Sequence, residues 1–180
     1  KILPMVQGYI YPNEIELHWG LLIVLYPLIT GLVAGAFILA SLERVFNVSE
    51  VKPTYRLSLI TALAFLLAAT LPLVSHLGHP ERFYEILFTP KLESAMAMFG
   101  FIYAWYLMAV LLLEIYFDYR KDFVIWSKKE KGLKKIVYTI LTLGVDNISP
   151  EALALDDKIG RAITIIGIPS AFLLHGYVGF

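Results

Sequence analysis

The stretch WGLLIVLYPLITGLVAGAFILASL, residues 19–42, runs 24 residues without a charged side chain. At a rise of 1.5 Å per residue, an α-helix of that length crosses the ~30 Å hydrocarbon core of a bilayer. A helix in a soluble domain rarely stays uncharged on every face for so long, because one face meets water. Three further runs share the property. Residues 57–74, 94–113 and 162–180 carry no Asp, Glu, Lys or Arg over 18, 20 and 19 residues, and only His175 interrupts the last. Apolar residues make up 58% of the 180-residue chain, against ~45–50% in soluble domains. The sequence therefore predicts an all-α integral membrane protein: a four-transmembrane-helix bundle with spans at about 18–44, 55–76, 93–118 and 157–180, forming a single transmembrane domain over residues 1–180.

The basic residues predict how the spans point. Twelve of the 15 Lys and Arg lie in the first and third connections, among them Arg44, Arg56, Arg120, Lys128, Lys131 and Lys135. Lys1, Arg82 and Lys91 stand on the other side. The positive-inside rule then places the N-terminus outside and the lysine-rich end in the cytoplasm. Within the third connection, Leu133, Ile136, Val137, Ile140 and Leu141 recur at helical spacing with Lys131, Lys134 and Lys135 beside them. That pattern predicts an amphipathic helix at about 131–145 lying in the inner interface, its apolar side in lipid and its lysines near anionic headgroups. A docking surface for a cytoplasmic partner is the competing reading of the same charges. Ser149 and Pro150 then read as the cap and first residue of a new helix.

Composition excludes several functions. Fifteen acidic and fifteen basic residues leave no net charge, so no nucleic-acid partner is expected. The absence of cysteine removes disulfides and any iron–sulfur cluster held by this chain, and no other metal site is expected. The chain starts at Lys1 and stops at Phe180 inside an apolar run, as a fragment of a longer protein would.

Helices in lipid associate through close packing and polar contacts. Gly31 and Gly35 form a G-x-x-x-G pair continued by Ala36 and Ala40, which predicts a tight crossing. Pro27, Pro72 and Pro169 each interrupt one span in its outer half. Kinks at a shared depth would splay the bundle there and open a cavity.

The candidate chemistry gathers at the same end. All four histidines fall at or near the outer face: His18 opens span one, His76 closes span two, His79 follows it, and His175 lies near the end of span four, with Tyr177 two residues on. Ionisable groups inside a membrane are costly and mark function, although His and Tyr also sit comfortably at its interface. His175 and Tyr177 project about 200° apart on a helix, so both cannot face one pocket squarely. At the inner face, Glu43 beside Arg44 and Glu114 end spans one and three; they form interfacial pairs or a proton path.

Four segments carry a family resemblance. SHLGHPERF at 75–83 resembles the loop after the second core helix of the NrfD/polysulfide reductase membrane subunits, where an L-G-x-P-x-R-F pattern recurs. YPLITGLVAGAFILASL at 26–42 resembles that family's first core helix, HGYVGF at 175–180 the end of its fourth, and LHWG at 17–20 its N-terminal segment. Here Ser75-His76 stands where Asp-Leu is frequent, and His79 where Arg is.

The resemblance implies a quinone-reactive subunit of a respiratory oxidoreductase in the inner, cytoplasmic membrane of a prokaryote. Such proteins have two four-helix bundles, of which this chain matches the first. Menaquinone or ubiquinone would be the substrate. His18 and Tyr177 would be the catalytic pair holding the quinone oxygens, with Trp19 and His175 completing the pocket. A ferredoxin-like iron–sulfur subunit would dock on the second connection at His79, Glu81, Arg82 and Phe83, beside other membrane subunits. Two other classes compete. A b-type cytochrome would hold haem between spans, but no span offers a pair of histidines for stacked haems. A transporter would place charges near mid-membrane, where these spans have none; a passive anchor is the harder alternative to separate.

Overall fold

A computed structural model describes residues 20–76, 80–84 and 102–176. Every regular element among them is helical: α1 (Leu21–Arg44), α2 (Tyr55–His76), α3 (Ile102–Lys129), α4 (Leu133–Leu141) and α5 (Pro150–Gly176), with 3-10 turns at Ser49–Thr54 and Pro80–Arg82. Three helical segments are long and apolar enough to cross a membrane, Val24–Arg44, Ser49–Pro72 and Pro150–Gly176. The fourth expected run, 94–113, lies partly outside the described residues. Its described part belongs to α3, which continues well past the last apolar residue to Lys129.

The bundle is inside-out relative to a soluble protein. Large apolar side chains such as Leu28, Leu32, Leu67, Leu112, Ile166 and Phe172 face outward, whereas Thr30, Ser41, Ser58, Thr164 and Ser170 are buried with Phe37, Leu59, Leu111 and Leu174. Hydrocarbon outside makes outward leucine free of cost, and inside, small and polar residues that let backbones approach share the core with large apolar ones. Two of the buried hydroxyls satisfy themselves locally: Ser41 Oγ donates to the Phe37 carbonyl at 2.8 Å, and Thr164 Oγ1 to the Gly160 carbonyl at 2.9 Å.

In the bundle, α1 packs on α2 and α5, and α3 packs on α5, α4 and α2. The antiparallel α1–α5 pair has a readable register. Arg44 lies against Gly160, Phe37 against Gly167 and Gly31 against His175, so the two helices run past each other residue for residue. The expected G-x-x-x-G crossing is corrected in part. Gly31 receives the His175 ring, but Gly35 faces open space with nothing within 4 Å of where a Cβ would stand. The tight contacts come instead from α5, whose Gly160, Thr164, Gly167 and Ala171 are buried along one stripe.

Between α3 and α4 the chain reverses at Gly132, whose φ of 62° and ψ of −141° suit only glycine. The short helix α4 is held to α3 by Trp126 against Tyr138, ring centroids 5.2 Å apart, and by the Tyr116 hydroxyl donating to the Thr142 carbonyl at 3.2 Å. Its apolar side is uncovered by the described residues, with Leu133 76% and Ile140 65% exposed. The next helix starts as its sequence dictates: Ser149 Oγ accepts from the Ala152 N–H at 3.3 Å, and Pro150 takes the first helical position. A buried clamp fixes that start, since Arg120 Nε donates to Asp156 Oδ2 at 2.7 Å and Nη1 to the Asn147 carbonyl at 2.7 Å.

Candidate functional site

The two ends of the bundle carry different chemistry. At the end away from the lysines, His18, Trp19, Tyr177 and His79 lie outside the described residues, as does the side chain of His76. His175 is described. It sits in the last turn of α5, exposed, with its imidazole over Gly31 of α1; a Cβ at Gly31 would stand 3.1 Å from Cε1 of the ring. The bare glycine thus leaves the space that the imidazole fills. Gly31 is thirteen residues from Arg44, about 20 Å along the helix. The ring therefore lies beside the uncharged run of α1 rather than beyond its end. Near it on α5, Ser170 Oγ is buried with no hydrogen-bond partner among the described residues. On α1, Thr30 Oγ1 donates to the Pro27 carbonyl at 3.0 Å, in the turn that the proline interrupts.

The 3-10 turn Pro80–Arg82 sets Glu81, Arg82 and Phe83 on the surface. Phe83 meets Tyr84 edge-on, centroids 6.3 Å apart, and about half of each side chain is exposed. These two rings form an apolar patch flanked by charges.

The lysine-rich end holds a denser polar cluster. Arg44 Nη1 lies 3.6 Å from Asp118 Oδ1 and 3.3 Å from Asp157 Oδ1. Arg56 bridges Asp118 at 2.7 Å and Asp122 at 2.8 Å, and its guanidinium lies 4.3 Å over the Tyr119 ring. One turn deeper on α3, Glu114 is fully buried. It accepts a hydrogen bond from the Tyr55 hydroxyl at 3.0 Å on Oε1, and Thr164 of α5 is also within hydrogen-bonding reach. The Tyr55 ring sits beneath Arg44, 5.9 Å from centroid to guanidinium carbon.

Glu43, expected beside Arg44 and with Glu114, is only half-buried. The carboxylates that meet Arg44 are Asp118 and Asp157, because consecutive residues on a helix point apart. Sequence reasoning does not single out Tyr55, Asp118, Asp157 or Thr164. A signal does exist in α5, where Gly160, Thr164 and Gly167 mark one helical face by their small size at spacings of four and three.

Comparison with known proteins agrees with this architecture. The family model described as polysulphide reductase, NrfD, matches residues 12–180. A selenate reductase subunit of Mesobacillus selenatarsenatis is 36% identical over 167 residues, a match covering 89% of this chain and 39% of that protein. A protein of Halobacterium salinarum, provisionally named as a dimethyl sulfoxide reductase membrane subunit, is 31% identical over 96 residues, covering 49% of this chain and 22% of the relative. The chain thus spans about two-fifths and about a fifth of the lengths of these two relatives. No solved structure matches.

Proposed function

Since the chain belongs to the NrfD polysulphide reductase family, we propose that it is the quinone-reactive membrane subunit of a prokaryotic respiratory reductase, exchanging electrons between the quinone pool and an iron–sulfur partner. The supporting observation is the placement of His175: an imidazole beside the uncharged run of α1, seated on a glycine toward the end opposite the lysines. Both relatives are named as subunits of reductases, which supports a role beside other subunits. Their greater length supports reading this chain as the first of two four-helix bundles, with the run at 94–113 as its third span.

In this reading the N-terminus is outside and the quinone pocket opens at the outer end. His18 and Tyr177 hydrogen-bond the two quinol oxygens, with Trp19 and His175 lining the site. Imidazole suits this task because its ordinary pKa of about 6.5 moves readily across working pH. As a quinol is oxidised it loses two electrons and two protons. His18 takes up one of the protons at an imidazole nitrogen, the other passes to water at the outer end, and both electrons leave toward the partner docked at His79, Glu81, Arg82 and Phe83.

Replacing His18 with Ala in the intact complex should lower quinol-dependent turnover by about 10²-fold or more, the usual worth of a positioned acid–base group. Subunit assembly and turnover with an artificial donor to the partner should be unchanged. Wild-type quinol turnover in that variant removes the pocket.

A further inference from the structure

The polar cluster at the lysine-rich end contains a carboxyl that the quinone site does not use. We propose that Glu114 is a proton-exchange site inside the bundle, loaded from the lysine-rich end through the ring of Arg44, Asp118 and Asp157.

The argument starts from hydrogen-bond capacity. Glu114 is 0% exposed, on a helix surrounded by apolar residues. A buried carboxylate needs donors on both oxygens. Oε1 has one, the Tyr55 hydroxyl at 3.0 Å, whereas Oε2 has no partner among the described residues. Thr164 is also within hydrogen-bonding reach of the carboxyl; its hydroxyl donates to the Gly160 carbonyl at 2.9 Å but can turn. It can accept from the neutral acid or donate to the anion, with Arg44 close enough to offset the charge. The site can therefore hold Glu114 with or without its proton.

A route to water is also built in. Arg44 joins Asp118, which is nearly buried, to Asp157, whose side chain is 71% exposed. Arg44 Nε is itself buried without a partner among the described residues. An unpaired donor and an unpaired acceptor in one cluster are the setting in which an internal water is bound. Gly160 keeps this passage wide enough, because a side chain there would overlap the Arg44 guanidinium. The arginine stays protonated and passes no proton on; it holds the carboxylates in file.

The groups facing Glu114 are Arg44 from α1, Tyr55 from α2, Asp118 on its own helix and Thr164 from α5; Asp157 lies beyond Arg44, and Arg56 and Asp122 lie beyond Asp118. A proton from water at the lysine-rich end passes by way of Asp157, Asp118 and bound water to Oε2, and returns along the same path. No electron moves. The proposal is independent of the quinone reading, since its groups lie at the other end of the bundle.

Infrared difference spectra of the complete complex, reconstituted in oriented vesicles and recorded over a pH series, test it. A carboxylic-acid C=O band should be present, vanish in Glu114→Gln, and move to higher frequency in Tyr55→Phe, where the hydrogen bond to Oε1 is lost. D2O supplied at the lysine-rich side should shift the band promptly, and Asp157→Asn should slow that exchange severalfold. If Glu114→Gln fails to assemble, the Tyr55→Phe shift carries the assignment alone. Failure of the Tyr55→Phe shift, a band that does not exchange, or exchange only from the opposite side overturns the proposal.

Discussion

At the scale of single residues, glycine and charge explain each other. Arg44 ends α1 with its guanidinium folded over α5, and the room for it lies above Gly160. Gly160→Ala should therefore cost about 1–3 kcal/mol, the usual penalty of overpacking a filled interior, and lower the thermal unfolding midpoint in detergent. Gly35→Ala is its control: with open space around that position, the same substitution should leave the midpoint unchanged. An equal loss in both variants would refute the register of α1 against α5. Much of this is hidden in the sequence. Glu43 stands next to Arg44 in the chain, yet Arg44 pairs with Asp118 and Asp157, residues on other helices that only packing brings together. Tyr55, Glu114 and Thr164 likewise lie on three helices, and no local pattern joins them.

At the scale of elements, local signals are read more easily. The start of α5 at Pro150 follows from Ser149 and Pro150, because capping needs only neighbours in the chain. The periodicity of Leu133, Ile136, Val137 and Ile140 marks α4 for the same reason. In the structure these side chains find no cover among the described residues, while α4 is tied to α3 through Trp126 and Tyr138. Bilayer lipid is the cover their chemistry fits, with Lys131, Lys134 and Lys135 toward the headgroups. Replacing Ile136 and Ile140 together with Asp should remove ~1.5–3 kcal/mol of apolar burial per site. Trypsin cleavage among Lys128, Lys129 and Lys131 in inside-out vesicles should then rise about tenfold or more. An unchanged cleavage rate would mean that α4 does not rest in the membrane. The end of α3 is harder to foresee. Its apolar run stops at Leu113, but the helix continues to Lys129, carried by aromatic contacts such as Tyr119 on Phe123 and by the Arg120–Asp156 pair. The first contact lies within the helix and the second joins it to α5; neither leaves a mark in hydropathy.

At the scale of the whole molecule, the bundle separates its chemistry by depth. Charged side chains from α1, α2, α3 and α5 close the lysine-rich end around Glu114. About 20 Å along α1 from Arg44, the His175 imidazole lies over Gly31 in a mostly apolar setting. The membrane class is legible because uncharged runs are properties of whole segments. The proposed pocket at the far end shows in the sequence only as a gathering of His and Tyr, whose meeting depends on how the spans pack. A photoreactive quinone analogue, added to the intact complex and mapped by peptide mass spectrometry, addresses that meeting directly. The account predicts labelling at the start of α1 near His18 and at the end of α5 near His175 and Tyr177, suppressed by excess native quinone. Labelling confined to the lysine-rich end, or labelling that native quinone does not displace, would contradict it.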